Sequence, residues 1–310
     1  MDCSIRPSKK HPDVAVVSTM DFFYPLVEDP YVQGKIACAN VLSDLYAVGV
    51  TEVDSLLMAL ALSLDMPEAP RRIVAKELIR GFSDLAEEAG VEVSGGQTVL
   101  NPWCIVGGVA SSICSVEEVI APESAVPGNV IVLTKPLGTQ LAVNAKQWLG
   151  GHHGTTNLGD LTSEQVERAY ETAQASMARL NRTAARLMHT YGALAATDVT
   201  GFGILGHLTN LAENQRAAVD MEIDTLPVIA GMLSVADRHP VFQFREGFSA
   251  ETSGGLLVCL RDADVARCFC DELAAIDGAP AWIVGRVVER RATEKKNAAR
   301  IVADPSLVEV

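Results

Sequence analysis

One stretch of the chain is apolar in every direction except along a narrow polar stripe. Residues 36–49 read IACANVLSDLYAVG, in which only Asn40, Ser43 and Asp44 interrupt the apolar side chains before Gly49. Because positions i, i+3 and i+4 share one face of a helix, the pattern predicts a helix that is buried nearly all round and that Gly49 ends. A buried carboxylate must be paired, hydrogen-bonded, protonated or metal-bound. Asp44 is therefore a candidate functional residue, with a buried ion pair and a metal site both open.

Hydrophobic periodicity predicts alternating strands and helices in both halves of the chain. The predicted strands are 14–20, 52–64, 104–114, 130–134, 255–260 and 282–288, and the predicted helices are 67–89, 163–191 and 262–275, with a strand, a turn and a helix at 193–214. A turn-rich segment at 121–129 predicts domains at 1–122 and 123–310, each of the α/β or α+β class. A flexible loop is predicted at 150–160, where His152 and His153 lie.

Three further aspartates stand out by their positions. Asp21 follows the first predicted strand, Asp198 follows the apolar run ALAAT, and Asp2 lies near the first residue. A single carboxylate at a strand end is usually a cap or turn residue, so each one alone is a weak candidate. Gly201 and Gly203 open the helix that follows Asp198, where free N–H groups favour an anion, although Asp198 could instead cap that helix.

A glycine-rich segment, SGGQT at 94–98, follows a short predicted strand. Gly95 and Gly96 would allow the backbone to approach a ligand closely, and Gln97 and Thr98 add polar groups, but an ordinary turn explains the same pattern. The sequence has neither the GxxxxGK[ST] pattern of a Walker P-loop nor a GxGxxG dinucleotide fingerprint at this point.

Several other reactive side chains are interpreted as structural or surface residues without a chemical role. Lys135 is interpreted as a surface lysine in preference to a phosphate contact, Ser253 as an exposed turn residue, and His207 as a packed helix residue. Cys268 and Cys270 are interpreted as core or surface residues in preference to metal ligands, since no CxxC pair occurs in the chain.

Composition restricts the class of protein. The chain has 310 residues, is 48% hydrophobic and contains no run of about 18 apolar residues, so it can build a substantial core and predicts no membrane span. Seven cysteines, an odd number in a large chain, fit a reduced cytoplasmic setting. The net charge of −14 disfavours nucleic acid and membrane surfaces as partners, but permits a phosphate ligand if divalent cations lie between it and carboxylates.

Six separated motifs together resemble the selenophosphate synthetase (selenide, water dikinase) family, most closely its eukaryotic type. In chain order they are DFFYPLVEDPYVQGKIACANVLSDLYAVGVTE, SGGQTVLNPWCIVGGVAS, VLTKPLGTQ, MARLNRTAARLMH, ATDVTGFGILGH and ETSGGLL. The resemblance covers the whole chain. It implies an aminoimidazole-ribonucleotide-synthetase (PurM)-like fold of an α/β domain and an α+β domain, with the strands of the first domain forming a barrel across a homodimer.

The resemblance also implies an activity and its residues. ATP, selenide and water would give selenophosphate, phosphate and AMP, and selenophosphate would donate selenium for selenocysteine synthesis, with a selenium-delivery protein as a possible partner. Asp2, Asp21, Asp44 and Asp198 match the family's magnesium ligands, which bridge the ATP phosphates. The positions that match its nucleotide contacts are Asp21, Gly95, Gly96, Gln97 and Thr98.

One feature of the family has no match in this sequence. The family carries a mobile segment with a reactive cysteine or selenocysteine and a lysine before the position of Asp2, so these catalytic residues are expected upstream of Met1. This sequence begins at Met1, and Cys3 follows the aspartate instead of preceding it. We therefore expect an N-terminally truncated chain that holds no catalytic residue of that segment and makes little selenophosphate on its own.

Two alternatives remain open beside a selenide, water dikinase. The chain could be a catalytically silent, ATP-binding homologue with a regulatory role. It could also be another ATP-dependent enzyme of the fold, such as a thiamine-monophosphate kinase or an aminoimidazole ribonucleotide synthetase. The product nucleotide distinguishes these enzymes, because AMP is expected from the dikinase and ADP from the others.

Overall fold

A computed structural model describes residues 2–150, 157–292 and 295–310. Most of the loop predicted at 150–160, including His152 and His153, lies outside these ranges. Met1 lies outside them as well, and the catalytic segment expected upstream of Met1 stays a prediction that the structure does not address. Among the described residues, no helix is both long enough and apolar enough to cross a membrane.

The described chain divides into two compact units. Unit 1 contains the residues up to Val119 together with Met177–Ala185, and unit 2 contains Ile120–Ser176 and Arg186–Val310. The main division, at 119 and 120, lies close to the boundary that the turn-rich segment predicts. The short segment Met177–Ala185 is far from the rest of unit 1 in sequence.

Unit 1 is built on a mixed five-stranded sheet. Its strands are β1 (Ser4–Pro7), β2 (Val14–Phe23), β3 (Ser55–Ser63), β4 (Val93–Asn101) and β5 (Ile105–Ser115), in the spatial order β1-β2-β5-β3-β4. Strands β3 and β4 pair in parallel, and the other neighbours named here pair antiparallel. Helices α1 (Pro30–Ala47) and α2 (Glu68–Glu88) belong to this unit and pack against each other.

Helix α1 is set into the core of unit 1. Asp29 caps its first turn by accepting hydrogen bonds from the N–H groups of Tyr31 and Val32, and Gly49 takes a positive φ of 81° just beyond its end. The helix packs on β2 and β5, and its apolar side chains are buried in every direction. This confirms the buried helix and the stop at Gly49 that the sequence predicts.

Unit 2 is built on a six-stranded sheet. Its strands are β6 (Val130–Leu133), β7 (Ala195–Asp198), β8 (Val219–Val228), β9 (Leu256–Leu260), β10 (Trp282–Glu289) and β11 (Ala299–Glu309), in the spatial order β11-β8-β10-β6-β9-β7. Its helices are α3 (Thr139–Gly150), α4 (Ser163–Ala178), α5 (Arg182–Thr190), α6 (Gly203–Glu213), α7 (Met232–Arg238) and α8 (Ala263–Asp277). The adjoining ends of α4 and α5 lie in the segment Met177–Ala185, which belongs to unit 1. Strand β9 is buried along its whole length, as its continuous apolar sequence suggests.

Three sequence predictions of local structure are wrong. The helix predicted at 163–191 is two helices, α4 and α5, which are separated around Asn181, a residue type that favours a helix start over a helix interior. The SGGQT segment is no turn, because all of it lies within strand β4. Asp21 does not follow its strand but lies inside β2, which continues to Phe23.

Candidate functional site

The polar stripe of α1 lies against strand β2. The Thr19 hydroxyl donates to an Asp44 carboxylate oxygen at 2.5 Å, and the Asn40 side-chain amide donates to an Asp21 carboxylate oxygen at 3.0 Å. Thr19 and Asp21 share one face of a strand, as Asn40 and Asp44 share one face of a helix. The fold therefore brings two of the predicted aspartates into one cluster, the stripe site, which consists of Thr19, Asp21, Asn40 and Asp44.

The electrostatics of the stripe site favour a bound cation. Burial raises the pKa of Asp21, the hydrogen bond from Asn40 opposes that rise, and the negative charge of Asp2 adds to it. In the described part of the chain, no cationic side chain contributes to the pKa of Asp21. Asp2, Asp21 and Asp44 offer hard carboxylate oxygens, the ligands that Mg²⁺ prefers, so these residues fit a magnesium ion.

Ser43, the third polar residue of the stripe, has a different partner. Its hydroxyl oxygen accepts a hydrogen bond of 3.0 Å from the Asn181 side-chain amide, and both residues are buried. Asn181 lies in the segment between α4 and α5 that packs within unit 1. Sequence reasoning missed this contact because the two residues are 138 positions apart.

The SGGQT residues are exposed or partly exposed on the edge strand β4. Gly96 lies in one transverse row of the sheet with Met58, Gly108 and Asp21, at successive strands. Three inter-strand steps separate the ends of this row by roughly 14 Å. Within one unit the structure thus does not bring Gly95, Gly96, Gln97 and Thr98 into contact with the stripe site.

Gly96 has a structural reason to be glycine. Its φ is 143°, and a Cβ atom at this position would lie 1.9 Å from the Met58 carbonyl oxygen. A side chain here would therefore displace β4 from β3.

Asp198 lies in unit 2, where it is the last residue of β7 and is almost fully buried. The chain after it is held by backbone hydrogen bonds: the Val199 N–H donates to the Gly255 carbonyl at 2.9 Å, and the Glu251 N–H donates to the Thr200 carbonyl at 3.0 Å. The Thr200 hydroxyl lies 3.1 Å from His207 Nε2, so the imidazole is packed against this turn, within α6. His207 is therefore packed within α6, and its ring and the Asp198 carboxylate offer ligand atoms within 4.8 Å of each other.

Three sequence-distant loops meet at this end of the unit 2 sheet. We call residues 134–139, 198–203 and 249–255 the loop cluster. Gly254 and Gly255 make the approach possible, because Cβ atoms there would lie 2.0 Å from the Val199 carbonyl oxygen and 2.4 Å from the Lys135 nitrogen. The close packing explains why both positions are glycine.

The loop cluster buries two charged side chains besides Asp198. The Glu251 carboxylate accepts hydrogen bonds from the Gly138 N–H at 2.7 Å and the Thr139 N–H at 2.9 Å, and also from the Thr139 hydroxyl. Lys135 Nζ donates to the Ser253 carbonyl at 2.8 Å. Burial raises the pKa of Glu251 to about 7, although its hydrogen bonds lower it.

Two sequence interpretations in this region are wrong. Lys135 and Ser253 are interpreted from the sequence as surface residues, but each is only 1% exposed. The sequence signal against a surface position for Lys135 is that it follows the apolar run Val130–Leu133 after a single residue. Cys268 and Cys270 are exposed and partly buried thiols on α8, and all seven cysteines are reduced thiols.

Two domain models of one protein family together match almost the whole chain. Residues 2–113 match the N-terminal domain of AIR synthase related proteins, and residues 126–296 match the C-terminal domain of the same family. Selenide, water dikinase 2 of Homo sapiens is 52% identical over 314 residues, covering 100% of this chain and 68% of that protein. Selenide, water dikinase of Dictyostelium discoideum is also 52% identical, covering 100% of this chain and 85% of that protein.

Solved structures show the same fold at low sequence identity. AaThiL complexed with AMPPCP and TMP has a TM-score of 0.69 at 16% identity, covering 98% of this chain and 89% of that one. The hydrogenase maturation protein HypE of E. coli has a TM-score of 0.67 at 16% identity, covering 92% of this chain and 81% of that one. These structures support the predicted aminoimidazole-ribonucleotide-synthetase-like fold and nothing finer.

Proposed function

The chain belongs to the selenide, water dikinase family, and on that premise we propose that it synthesises selenophosphate from selenide, water and ATP, with phosphate and AMP as the other products. The observation that carries this proposal is 52% identity to curated members of the family along the entire chain. The stripe site supports it, because phosphoryl transfer depends on positioning and charge neutralisation more than on covalent groups of the protein.

In this proposal Asp2, Asp21, Asp44 and Asp198 hold magnesium. Magnesium would neutralise phosphate charge and bridge the carboxylates to the nucleotide. Asn40 and Thr19 orient the Asp21 and Asp44 carboxylates by donating one hydrogen bond to each. Burial is the main cause of the raised pKa of Asp21, and this supports the assignment, since a bound cation would stabilise the buried carboxylate in its charged form.

Gly95, Gly96, Gln97 and Thr98 are proposed to contact the nucleotide. Their exposure on β4 leaves their backbone and side chains accessible to a ligand. A protein of the same fold, AaThiL, binds AMPPCP, which supports ATP as the nucleotide here. These residues lie far from the stripe site within one sheet. An ATP molecule that contacts both sites would therefore have to extend across the strands between Gly96 and Asp21, or contact the stripe site of one copy and β4 of another.

A homodimer is proposed on the exposed face of the unit 1 sheet. Met20 and Phe22 of β2 are 60% and 56% exposed, and Ile113 of β5 and Val99 of β4 are exposed as well. A contiguous apolar sheet face of this kind favours a protein partner, and the edge position of β4 would allow strands of two copies to close a barrel.

A cytoplasmic location and a selenium-delivery protein complete the proposal. Seven reduced thiols fit a reducing compartment. Selenide would reach the site from that delivery protein or from solution.

The product nucleotide tests the function. When the chain is joined to the N-terminal segment of a family member, we expect ATP consumption that depends on selenide and Mg²⁺ and that yields AMP and selenophosphate, measured by chromatography and ³¹P NMR. ADP as the sole nucleotide product would contradict the proposal and favour another kinase of this fold. Tight Mg²⁺-dependent ATP binding without selenide-dependent turnover would favour the silent homologue.

A further inference from the structure

The segment Met177–Ala185 belongs to unit 1 although it lies within the C-terminal family domain in sequence. Leu180 and Ala185 join the hydrophobic core of unit 1. Arg182 donates to the Thr51 carbonyl at 3.0 Å and to both carboxylate oxygens of Glu52 at 2.8 and 2.9 Å. The segment is therefore an integral part of the unit that carries the stripe site.

A buried polar contact joins this segment to helix α1. Asn181 is 3% exposed and Ser43 is 0% exposed, and the Asn181 amide donates to the Ser43 hydroxyl oxygen at 3.0 Å. A hydrogen bond in a water-excluded position is directional, and neither group can exchange it for water without opening the core. The bond therefore fixes Ser43 relative to the segment.

Directional contacts add to packing in setting the rotation of helix α1. A close contact at Gly34 fixes the face of α1 that meets α2, because a Cβ atom there would lie 2.2 Å from the Leu78 carbonyl oxygen. Hydrophobic burial itself is non-directional, so the polar contacts determine how accurately the stripe faces β2. The polar contacts of Asn40, Ser43 and Asp44 set the rotation of α1. The partners of Asn40 and Asp44 lie on β2, whereas Asn181, the partner of Ser43, lies outside β2.

We propose that Asn181 is a positioning residue for Asp44. Its amide holds Ser43, the residue directly before Asp44, and thereby fixes the rotation of α1 that directs the Asp44 carboxylate towards the magnesium ion. The proposal rests on the proposed function, in which Asp44 is a metal ligand. Asn181 itself is not assigned any contact with metal or nucleotide.

The test measures the Mg²⁺ dependence of binding of AMPPCP, a non-hydrolysable ATP analogue, by calorimetry with the full chain. Asn181→Leu keeps the approximate size and removes the donor, and we expect the Mg²⁺ concentration for half-maximal binding to rise about tenfold. Ser43→Ala removes the same hydrogen bond from the α1 side and covers the case in which Asn181→Leu fails to fold. The double variant should show the shift of one single variant, because all three break one bond.

Two further variants separate the possible results. Arg182→Gln breaks the ion pair with Glu52 in the same segment, so it should lower the melting temperature and leave the Mg²⁺ dependence unchanged. If Asp44→Ala keeps the wild-type Mg²⁺ dependence, the proposed function fails at its metal ligand. If Asp44→Ala loses that dependence while Asn181→Leu and Ser43→Ala retain it, the positioning role is wrong and the proposed function stands.

Discussion

The stripe site of unit 1 and the loop cluster of unit 2 hold their aspartates in different ways. Asp21 and Asp44 lie on a strand and a helix, are partly buried, and receive hydrogen bonds from neutral side chains. Asp198 is almost fully buried where three loops meet through backbone hydrogen bonds and close glycine contacts. The difference indicates that the stripe site depends on side-chain hydrogen bonds for its shape, whereas the loop cluster depends on close packing.

The largest expected effect tests that close packing. In Gly254→Ala the new methyl group would lie 2.0 Å from the Val199 carbonyl oxygen, so the loops must separate. We expect the free energy of unfolding to fall by about 4 kcal/mol, measured by urea denaturation.

Gly201→Ala is the matched control, because no heavy atom lies within 4 Å of a Cβ atom at that position of the same cluster. It should change the free energy of unfolding by less than about 0.5 kcal/mol. Equal effects of the two substitutions would show that the loop cluster does not depend on close packing.

The second effect concerns the buried carboxylate of the loop cluster. Burial raises the pKa of Glu251 from its ordinary value of 4.5 to about 7. As the pH rises from 4.5 to 7, Glu251 therefore loses its proton in the unfolded chain but keeps it in the folded chain. The free energy of unfolding should therefore fall as the pH rises through that range. Above pH 7, Glu251 should cause no further change in the free energy of unfolding. The linked loss is about 3 kcal/mol.

Glu251→Gln removes this titration, so the variant should lose less stability than the wild type between pH 4.5 and 7. Denaturation at several pH values measures the difference. The account of Glu251 is wrong if the variant keeps the full wild-type pH dependence. The pKa of Asp21 is also raised, so the free energy of unfolding of the Glu251→Gln variant should still fall with rising pH, but by less than in the wild type.

The smallest effect lies in the stripe site. Thr19→Val removes the hydroxyl that donates to Asp44, and we expect a loss of about 1 kcal/mol in the free energy of unfolding. Thr19→Ser keeps the donor and should lose less. Saturating Mg²⁺ and AMPPCP should reduce the cost of Thr19→Val, because a bound cation would then stabilise the Asp44 carboxylate; an unchanged cost would argue against a cation at Asp44.

The same contrast explains what the sequence could predict. Helical spacing placed Asn40, Ser43 and Asp44 on one face, and strand alternation could also have placed Thr19 beside Asp21, because both patterns are local. The loop cluster was not predictable, since Lys135, Asp198 and Glu251 meet only through tertiary contacts. Local reasoning therefore treated Lys135 as a surface residue and missed Glu251.

Two wider features also depended on tertiary structure. The helical period from 163 to 191 continues through Asn181, but the chain breaks there and the amide bonds to Ser43. SGGQT resembles a turn in isolation, yet pairing with β3 makes it part of an edge strand. At Asn181 the contact with Ser43 acts together with the local preference of asparagine for a helix start, whereas at SGGQT the pairing with a distant strand overrides the local preference.

The central claim is that the carboxylates of the stripe site bind nucleotide through magnesium. Calorimetric titration of AMPPCP into the wild type and Asp44→Ala, with and without Mg²⁺, tests it most directly. We predict Mg²⁺-dependent binding by the wild type, a loss of at least about 100-fold in Asp44→Ala, and a melting temperature lowered by only a few degrees. Unchanged binding together with a large loss of stability would contradict the claim and identify Asp44 as a buried structural carboxylate.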